Sequence, residues 1–581
     1  MAGPRLNHAI SRRAPGEDSP YRRRMDGIDR RTLFQAGAIL LVPACRGNAE
    51  LQPAPAPATP PPVAPPVDAA IADLPARELE EATIADLQAK LASKTETSRS
   101  LVAKYRARID AVDRKGPELR AVLELDPDAD ATADALDAER AAGKLRGPLH
   151  GIPMLVKDNI DAAGKLTTTA GSLALEGTVA PKDAFVIARL RDAGAIILGK
   201  TNLSEWANLR GAPAVSGWSG RGGQCRNPYA LDRTPSGSSS GSAVAAAANL
   251  CAATLGSETD GSITSPASCQ SLVGIKPTVG LVSRNGVIPI SSSQDTVGPI
   301  ARTVADVATI LTVIAAADPD DPKATLPVPG RPTTAEDYTK ALDPKALAGA
   351  RLGVPRAGFF GTNRALDQVM SDALAKLKEL GAVLVDPVDF PPTPELGPLE
   401  LQVMETEIKT LLAVYLATRG SSVQVHTLAD VIAFDNAHAN QEMPLFGQEL
   451  FEQAQKQGPM TDKAYLDARA KCVKIARDQV LDKLMKDHKL DAFVAPTGGP
   501  PWLIDPILGD TTIGPPTTTM PAVAGYPHVT VPMGWTFGLP LGLSFFGGPW
   551  SEGKLLGYAY AYEQATKHRQ MPRYLATAKL G

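Results

Sequence analysis

The clearest periodicity in the chain is helical. Leu101, Val102, Tyr105 and Ile109 recur at helix spacing between Ser98 and Val112, and Ser98 is placed to cap the first turn. Farther on, helical stretches alternate with short apolar runs of β character. Asp183 stands ready to cap a helix through Phe185, Ile187 and Leu190; Gly194 stops it, and Ala195-Ile196-Ile197-Leu198 follows as a strand. Met370, Leu374, Leu377 and Leu380 line one face of a later helix, Gly381 falls at its C′ position, and Ala382 to Val385 reads as the next strand. This alternation predicts α/β layers, with helices on both faces of a mixed sheet. The stretch from Asp318 to about Leu484 keeps helical, globular patterning.

The N-terminal part obeys a different rule. Arg22, Arg23, Arg24, Arg30 and Arg31 make a basic region, followed by an apolar run from Leu33 to Val42 broken only by Gln35. Ten residues cannot cross a ~30 Å hydrocarbon core as a helix, so the pattern reads as an export signal rather than a membrane span. Asp29-Arg30-Arg31-Thr32-Leu33-Phe34 resembles a twin-arginine motif, whose pair normally lies close to the initiator, which makes Met25 an alternative start. Val42-Pro43-Ala44-Cys45 resembles a lipoprotein cleavage box with Cys45 as the acylated residue; an ordinary signal cleaved near Ala44 is the alternative. Pro53 to Val67 is almost all proline and alanine, a semi-rigid tether. The chain therefore divides into an export signal over 1–45, a linker over 46–72 and one folded domain over 73–581. The expected location is the periplasm or cell envelope, with a lipid anchor if Cys45 is acylated.

Composition narrows the partners. The 581 residues are 44% hydrophobic and 21% charged, ordinary for a globular protein, and the net charge of −3 argues against nucleic-acid binding. Cys225, Cys251, Cys269 and Cys472 lack metal-ligand spacing and read as small buried hydrophobes, and export of an already folded chain weakens the case for disulfides. Neither a metal nor a cofactor is expected, and no obligate protein partner.

Two motifs mislead. Gly194-Ala195-Ile196-Ile197-Leu198-Gly199-Lys200-Thr201 fits a phosphate-loop pattern, but its variable positions are themselves the strand and a helical pattern precedes them. Gly237-Ser238-Ser239-Ser240-Gly241 fits a nucleophile elbow, yet it follows Asn227-Pro228-Tyr229 and Thr234-Pro235, which is loop chemistry rather than a buried strand. Histidines 426, 438, 488, 528 and 568 are the bases an elbow would draw on, and an Ala-rich helix is expected from Ser242.

The chemistry lies in three segments. Gly151-Ile152-Pro153-Met154-Leu155-Val156-Lys157-Asp158-Asn159 is an apolar strand ending in a lysine. Pro235-Ser236-Gly237-Ser238-Ser239-Ser240-Gly241-Ser242 and Gly256-Ser257-Glu258-Thr259-Asp260-Gly261-Ser262-Ile263 follow. Together they resemble the amidase signature family, whose members cleave amides with a Ser–Ser–Lys triad. The serine spacing, 262 − 238 = 24, is that family's spacing. The resemblance runs with gaps from about Ser98 to the C-terminus, is densest between Gly147 and Arg302, and returns at Asp491–Thr497, Val529–Gly534 and Leu539–Leu543.

The resemblance implies a single large α/β domain around a twisted, mostly parallel sheet covered by helices on both faces. It implies Lys157 as base, Ser238 as bridging serine in a cis peptide and Ser262 as nucleophile. Backbone N–H groups of Thr259, Asp260, Gly261 and Ser262 would form the oxyanion hole, with Ser239, Ser257 and Asp295 in support. Burial beside Met154, Leu155 and Val156 should lower the Lys157 pKa, since an ammonium is disfavoured there. Asp260 stands where many members have glycine, and Glu258-Thr259-Asp260-Gly261-Ser262 is similar to the peptide-amidase subgroup. Ser204-Glu205-Trp206-Ala207-Asn208, Ser216-Gly217-Trp218, Gly280 to Arg284 and Gln294-Asp295-Thr296 look like that subgroup too. Asp260 would constrain the loop or face the substrate. The implied substrate is a small-molecule or short-peptide amide. The competing readings are a broad aliphatic, aryl-acyl or carbamate amidase, and a non-catalytic envelope protein on the same scaffold.

Overall fold

Thirteen strands form among the described residues of the computed structural model, most of them from the apolar runs of β character. In chain order they are β1 (Val122–Leu125), β2 (Pro153–Lys157), β3 (Ile196–Thr201), β4 (Trp218–Ser219), β5 (Gly223–Gln224), β6 (Ala253–Glu258) and β7 (Val273–Lys276). The rest are β8 (Thr296–Ala301), β9 (Arg351–Gly353), β10 (Val383–Val385), β11 (Ala492–Pro496), β12 (His528–Thr536) and β13 (Leu539–Phe546). β4 and β5 pair alone; the other eleven form one sheet in the order β1-β3-β2-β6-β8-β7-β12-β13-β11-β9-β10. The structure describes residues 74–321, 328–332, 336–420, 423–512 and 516–579, all within the compact unit Pro65–Gly581. The segment read as an export signal, with Arg30, Arg31 and Cys45, and that read as a linker over 46–72 lie outside the described residues.

The sheet is mixed, as expected, but its parallel character is confined to two blocks. β3–β2–β6 and β11–β9–β10 are parallel, four ladders in all. The other six ladders, including the whole middle from β6 to β11, are antiparallel. Every residue of β2, β3, β6, β7, β8, β11 and β13 is buried, so both faces of the sheet are covered.

Helix starts show where local pattern yields to tertiary partners. The helix Ser98–Arg108 is capped by Thr97, not Ser98: the Thr97 hydroxyl accepts from Ser100 N, while Ser98 N donates to Asp137. Beyond Arg108 the helix widens into a π-turn over Ile109–Arg114. Asp183 does not cap the helix Phe185–Asp192. Ala184 holds that position, and the Asp183 carboxylate accepts from Ala163 N and pairs with Arg191. Gly194 and Gly381 do end their helices, each in the left-handed region. The Ala-rich helix begins at Ser240, two residues earlier than expected, and all eight of its residues are buried.

The helices Leu396–Ala417, Leu428–Ala437, Glu449–Lys456 and Lys463–Val473 fill the region where motif resemblance is thin. Cys225, Cys251, Cys269 and Cys472 are buried and free. Among the described residues no helix is long and apolar enough to cross a membrane.

Candidate active site

Lys157 is the last residue of β2, fully buried, and its strand lies between β3 and β6. Its Nζ lies 2.7 Å from Ser238 Oγ, 3.0 Å from Ser257 Oγ and 3.2 Å from the Ser257 carbonyl. Asn159 Nδ2 donates to the same Ser257 hydroxyl at 2.8 Å. Burial lowers the Lys157 pKa to about 7, and it does so against Asp295 and Glu258, whose charges pull it up. A lysine at that value is neutral for part of its time near pH 7, which a base requires.

The Ser238 segment is held by hydroxyls and backbone. The Gly237–Ser238 peptide is cis. Ser204 N donates to the Ser238 carbonyl at 3.0 Å, and Ser204 Oγ accepts from Gly217 N at 2.9 Å and lies 3.4 Å from Ser240 Oγ. Ser240 Oγ donates to the Ser236 carbonyl, and the Ser236 and Ser265 hydroxyls are 2.8 Å apart. Gly241 fits because a Cβ there would stand 2.3 Å from the Ala121 carbonyl and 2.5 Å from that of Asn202. Ser239 Oγ donates to the Ser257 carbonyl at 3.1 Å and accepts from Ser257 N at 3.3 Å.

Ser262 lies in the turn between β6 and the short helix Thr264–Cys269. Its carbonyl accepts from Ser239 N at 3.1 Å, which joins the two serine segments. Ser262 and Ser238 are both buried, Ser262 the less enclosed at 8% exposure against 1%. Carboxylates hold this turn. Glu258 Oε1 accepts from Gly261 N at 2.9 Å, and its Oε2 accepts from Ile263 N at 2.8 Å and Thr264 N at 2.9 Å. Thr259 Oγ1 donates to Asp295 at 2.7 Å, and the second Asp295 oxygen accepts from Ile290 N and Ser291 N. Burial raises the Asp295 pKa to about 6.

One expectation changes here. The Gly261 N–H, expected in the oxyanion hole, is taken by Glu258, because a buried carboxylate must gather donors. Among the described residues the amides of Thr259, Asp260 and Ser262 donate to no protein acceptor. Asp260 constrains the loop: one oxygen accepts from Thr519 Oγ1 at 2.7 Å, and the other is buried. Burial raises its pKa.

Neither misleading motif gains a function. Gly199, Lys200 and Thr201 are strand residues of β3, and Lys200 Nζ donates to the Ile160 and Thr167 carbonyls. Among the described residues no histidine hydrogen-bonds to Ser238, Ser239, Ser240 or Ser262. The fully buried one on β12, His528, is bound to Ser544 and driven down to about 3 by desolvation. No group of three or more His, Cys, Asp or Glu residues with metal-holding geometry occurs among the described residues.

Sequence reasoning missed Glu258, Asn159 and the reach of the helix Leu396–Ala417. From that helix Glu400 accepts from Gln294, whose amide also donates to the Thr259 carbonyl at 3.3 Å. Glu407 accepts from Ser291 and Ser293, beside Asp295. The buried Glu258 was visible as an acid inside a serine-rich motif; nothing local marked Glu400.

Comparison with known proteins agrees with this architecture. A profile of the family described as Amidase matches residues 100–556. The X-ray structure of a native peptide amidase from Stenotrophomonas maltophilia is 49% identical, with a TM-score of 0.81 over 85% of this chain and 99% of its own. A probable amidase from Arabidopsis thaliana is 40% identical over 506 residues, 86% of this chain and 92% of its own. A glutamyl-tRNA(Gln) amidotransferase subunit from Chloroflexus aurantiacus is 36% identical over 510 residues, 85% of this chain and 99% of its own. By profile, by relatives across its length and by a fold shared with a solved peptide amidase, the chain belongs to the amidase signature family and is an amide hydrolase.

Proposed function

We propose that the protein is an exported amidase that removes ammonia from C-terminally amidated short peptides through an acyl-enzyme on Ser262. The observation that carries the mechanism is the buried Lys157 Nζ, 2.7 Å from Ser238 Oγ, with Ser239 N bonded to the Ser262 carbonyl. In the neutral amine, two N–H bonds are satisfied by the Ser257 carbonyl and hydroxyl, which leaves the lone pair for the Ser238 proton. Ser262 Oγ attacks the amide carbon as its proton moves to Ser238 and that of Ser238 to Lys157. The amides of Thr259, Asp260 and Ser262 are the candidate donors to the oxyanion. Collapse breaks the C–N bond; Ser238 protonates the nitrogen and is reprotonated by Lys157, and ammonia leaves. Water then attacks the ester by the same relay and frees the acid and Ser262.

The substrate class rests on likeness to the peptide amidase and on the Glu258-Thr259-Asp260-Gly261-Ser262 segment. A leaving-group side shaped for ammonia would exclude a continuing chain, leaving internal peptide bonds uncut. Ammonia release from a dipeptide amide tests this. Cleavage of anilides or carbamates with no ammonia from any peptide amide would transfer the enzyme to the broad-amidase class. Export rests on Arg30 and Arg31 ahead of the apolar run Leu33 to Val42, and acylation of Cys45 on the box ending there. Replacing both arginines by lysine should leave active enzyme in the cytoplasm; undiminished delivery to the envelope would end the twin-arginine assignment. The same signal separates this chain from its relatives in transfer-RNA amidotransferases.

A further inference from the structure

The residues on either side of Ser262, Gly261 and Ile263, have one feature in common: their N–H groups end on the same carboxylate. Glu258, 1% exposed at the end of β6, takes Gly261 N on one oxygen and Ile263 N and Thr264 N on the other, while Thr264 Oγ1 lies 3.2 Å away. The turn is thus tied immediately before and immediately after the serine. Three N–H donors converging on two oxygens is the arrangement of an ionised carboxylate. Burial raises the Glu258 pKa and the neighbouring Asp260 adds to that rise; Lys276, at the end of β7, and the amides of Ile263 and Thr264 oppose it. Glu258 is also one of two carboxyl groups, with Asp295, whose charge acts on Lys157.

We propose that Glu258 is a positioning residue of the reaction: its carboxylate holds the N–H groups of Gly261 and Ile263 on either side of Ser262 and so aims the serine hydroxyl. This rests on the assignment of Ser262, Ser238 and Lys157 given above. A glutamine at 258 keeps the size but turns one oxygen into an N–H donor facing N–H groups, so at least one tie is lost. It also removes the charge. An aspartate keeps the charge and draws the carboxylate back by one methylene.

The test follows the labelling of Ser262 by a fluorophosphonate probe across pH, with the KM of a hydrolysed primary amide and far-ultraviolet circular dichroism alongside. For E258Q we expect labelling slowed about 100-fold, with KM within about threefold of wild type. Its acid limb should move about half a unit to lower pH, because the ammonium has lost a neighbouring anion. E258D should be slowed less, with its acid limb unmoved. E258Q labelled at the wild-type rate, or slowed with an unmoved limb as a merely structural lesion would be, overturns the proposal. If E258Q does not fold, E258D decides: slower labelling with an unmoved limb supports the proposal, and a wild-type rate or a moved limb overturns it. Wild-type protein that is not labelled at Ser262 at all would instead refute the triad assignment on which this inference stands.

Discussion

The two serine segments are built by opposite means. Around Ser238 the fixing groups are neutral: hydroxyls of Ser204, Ser236, Ser239, Ser240 and Ser265 and backbone amides. Around Ser262 they are carboxyl groups of Glu258, Asp260 and Asp295. The relay proposed at Ser238 would have to pass a proton in both directions, and hydroxyls can rotate to donate or accept without changing charge. The nucleophile proposed at Ser262 would instead have to be held still, and charge-assisted bonds from buried carboxylates are the stronger anchors. The difference also has an electrostatic side, because only the second set can shift the titration of Lys157.

The largest expected effects remove a reacting group from either segment. Ser262→Ala and Ser238→Ala should each lower kcat by about 10⁴-fold or more with the fold retained, as read by ammonia release and circular dichroism. If Ser262→Ala kept activity while Ser239→Ala lost it, the elbow reading would replace the present one. Lys157→Met should be equally inactive, with a second signature. The folded pKa of about 7 lies below the ordinary value of 10.5, so below pH 7 the native state must hold an ammonium in an apolar setting. That penalty is full below pH 7 and fades as pH rises toward 10.5. The variant should therefore be more stable than wild type by roughly a few kcal/mol near neutral and acid pH, with the gap closing toward alkaline pH. Calorimetry across pH measures this, and a gap that widened toward alkaline pH would contradict the burial argument.

In the wild type, turnover should climb through about pH 7 as Lys157 loses its proton. The contrast between segments then becomes a contrast in that limb. Asp295→Asn should lower kcat about tenfold and move the acid limb to lower pH, because it deletes a charge that favours the ammonium. Ser204→Ala should lower kcat by a similar factor of about ten with the limb in place, since only a hydroxyl is lost. Equal movement in both would erase the distinction between the segments. The smallest effect belongs to Thr519→Val, which frees one oxygen of Asp260 and should cost about threefold in kcat.

Much of the arrangement of this candidate site was legible because its residues sit in short, ordered motifs. Lys157 closes an apolar strand, and Ser238 and Ser262 lie in clusters whose spacing is diagnostic. Features set by the return of distant chain were not. Glu400 reaches Gln294 across 106 residues, and no local pattern distinguishes it from the other acids of its helix. Thr97 and Ser98 are adjacent hydroxyl residues; only the extended backbone at Thr97 decides which one caps. Asp183 had the right side chain for a cap and found Ala163 N and Arg191 instead. Strand direction was the least readable property, because an apolar run is buried equally well in either sense. The antiparallel middle of the sheet follows from which strands lie side by side.

The order of strands has a consequence for the life of the chain before it is finished. Lys157 meets its partner Ser257 across 100 residues, β6 is flanked by β8, and the sheet continues through β7 to β12, near the C-terminal end. A nascent chain on the ribosome carries the lysine and both serines long before it carries the walls that keep water from them. Until those walls arrive, the lysine has the ordinary affinity of a solvated amine for its proton, near pKa 10.4, and cannot act as a base at cytoplasmic pH. On the proposed mechanism, the base is therefore competent only once the fold that buries Lys157 is complete.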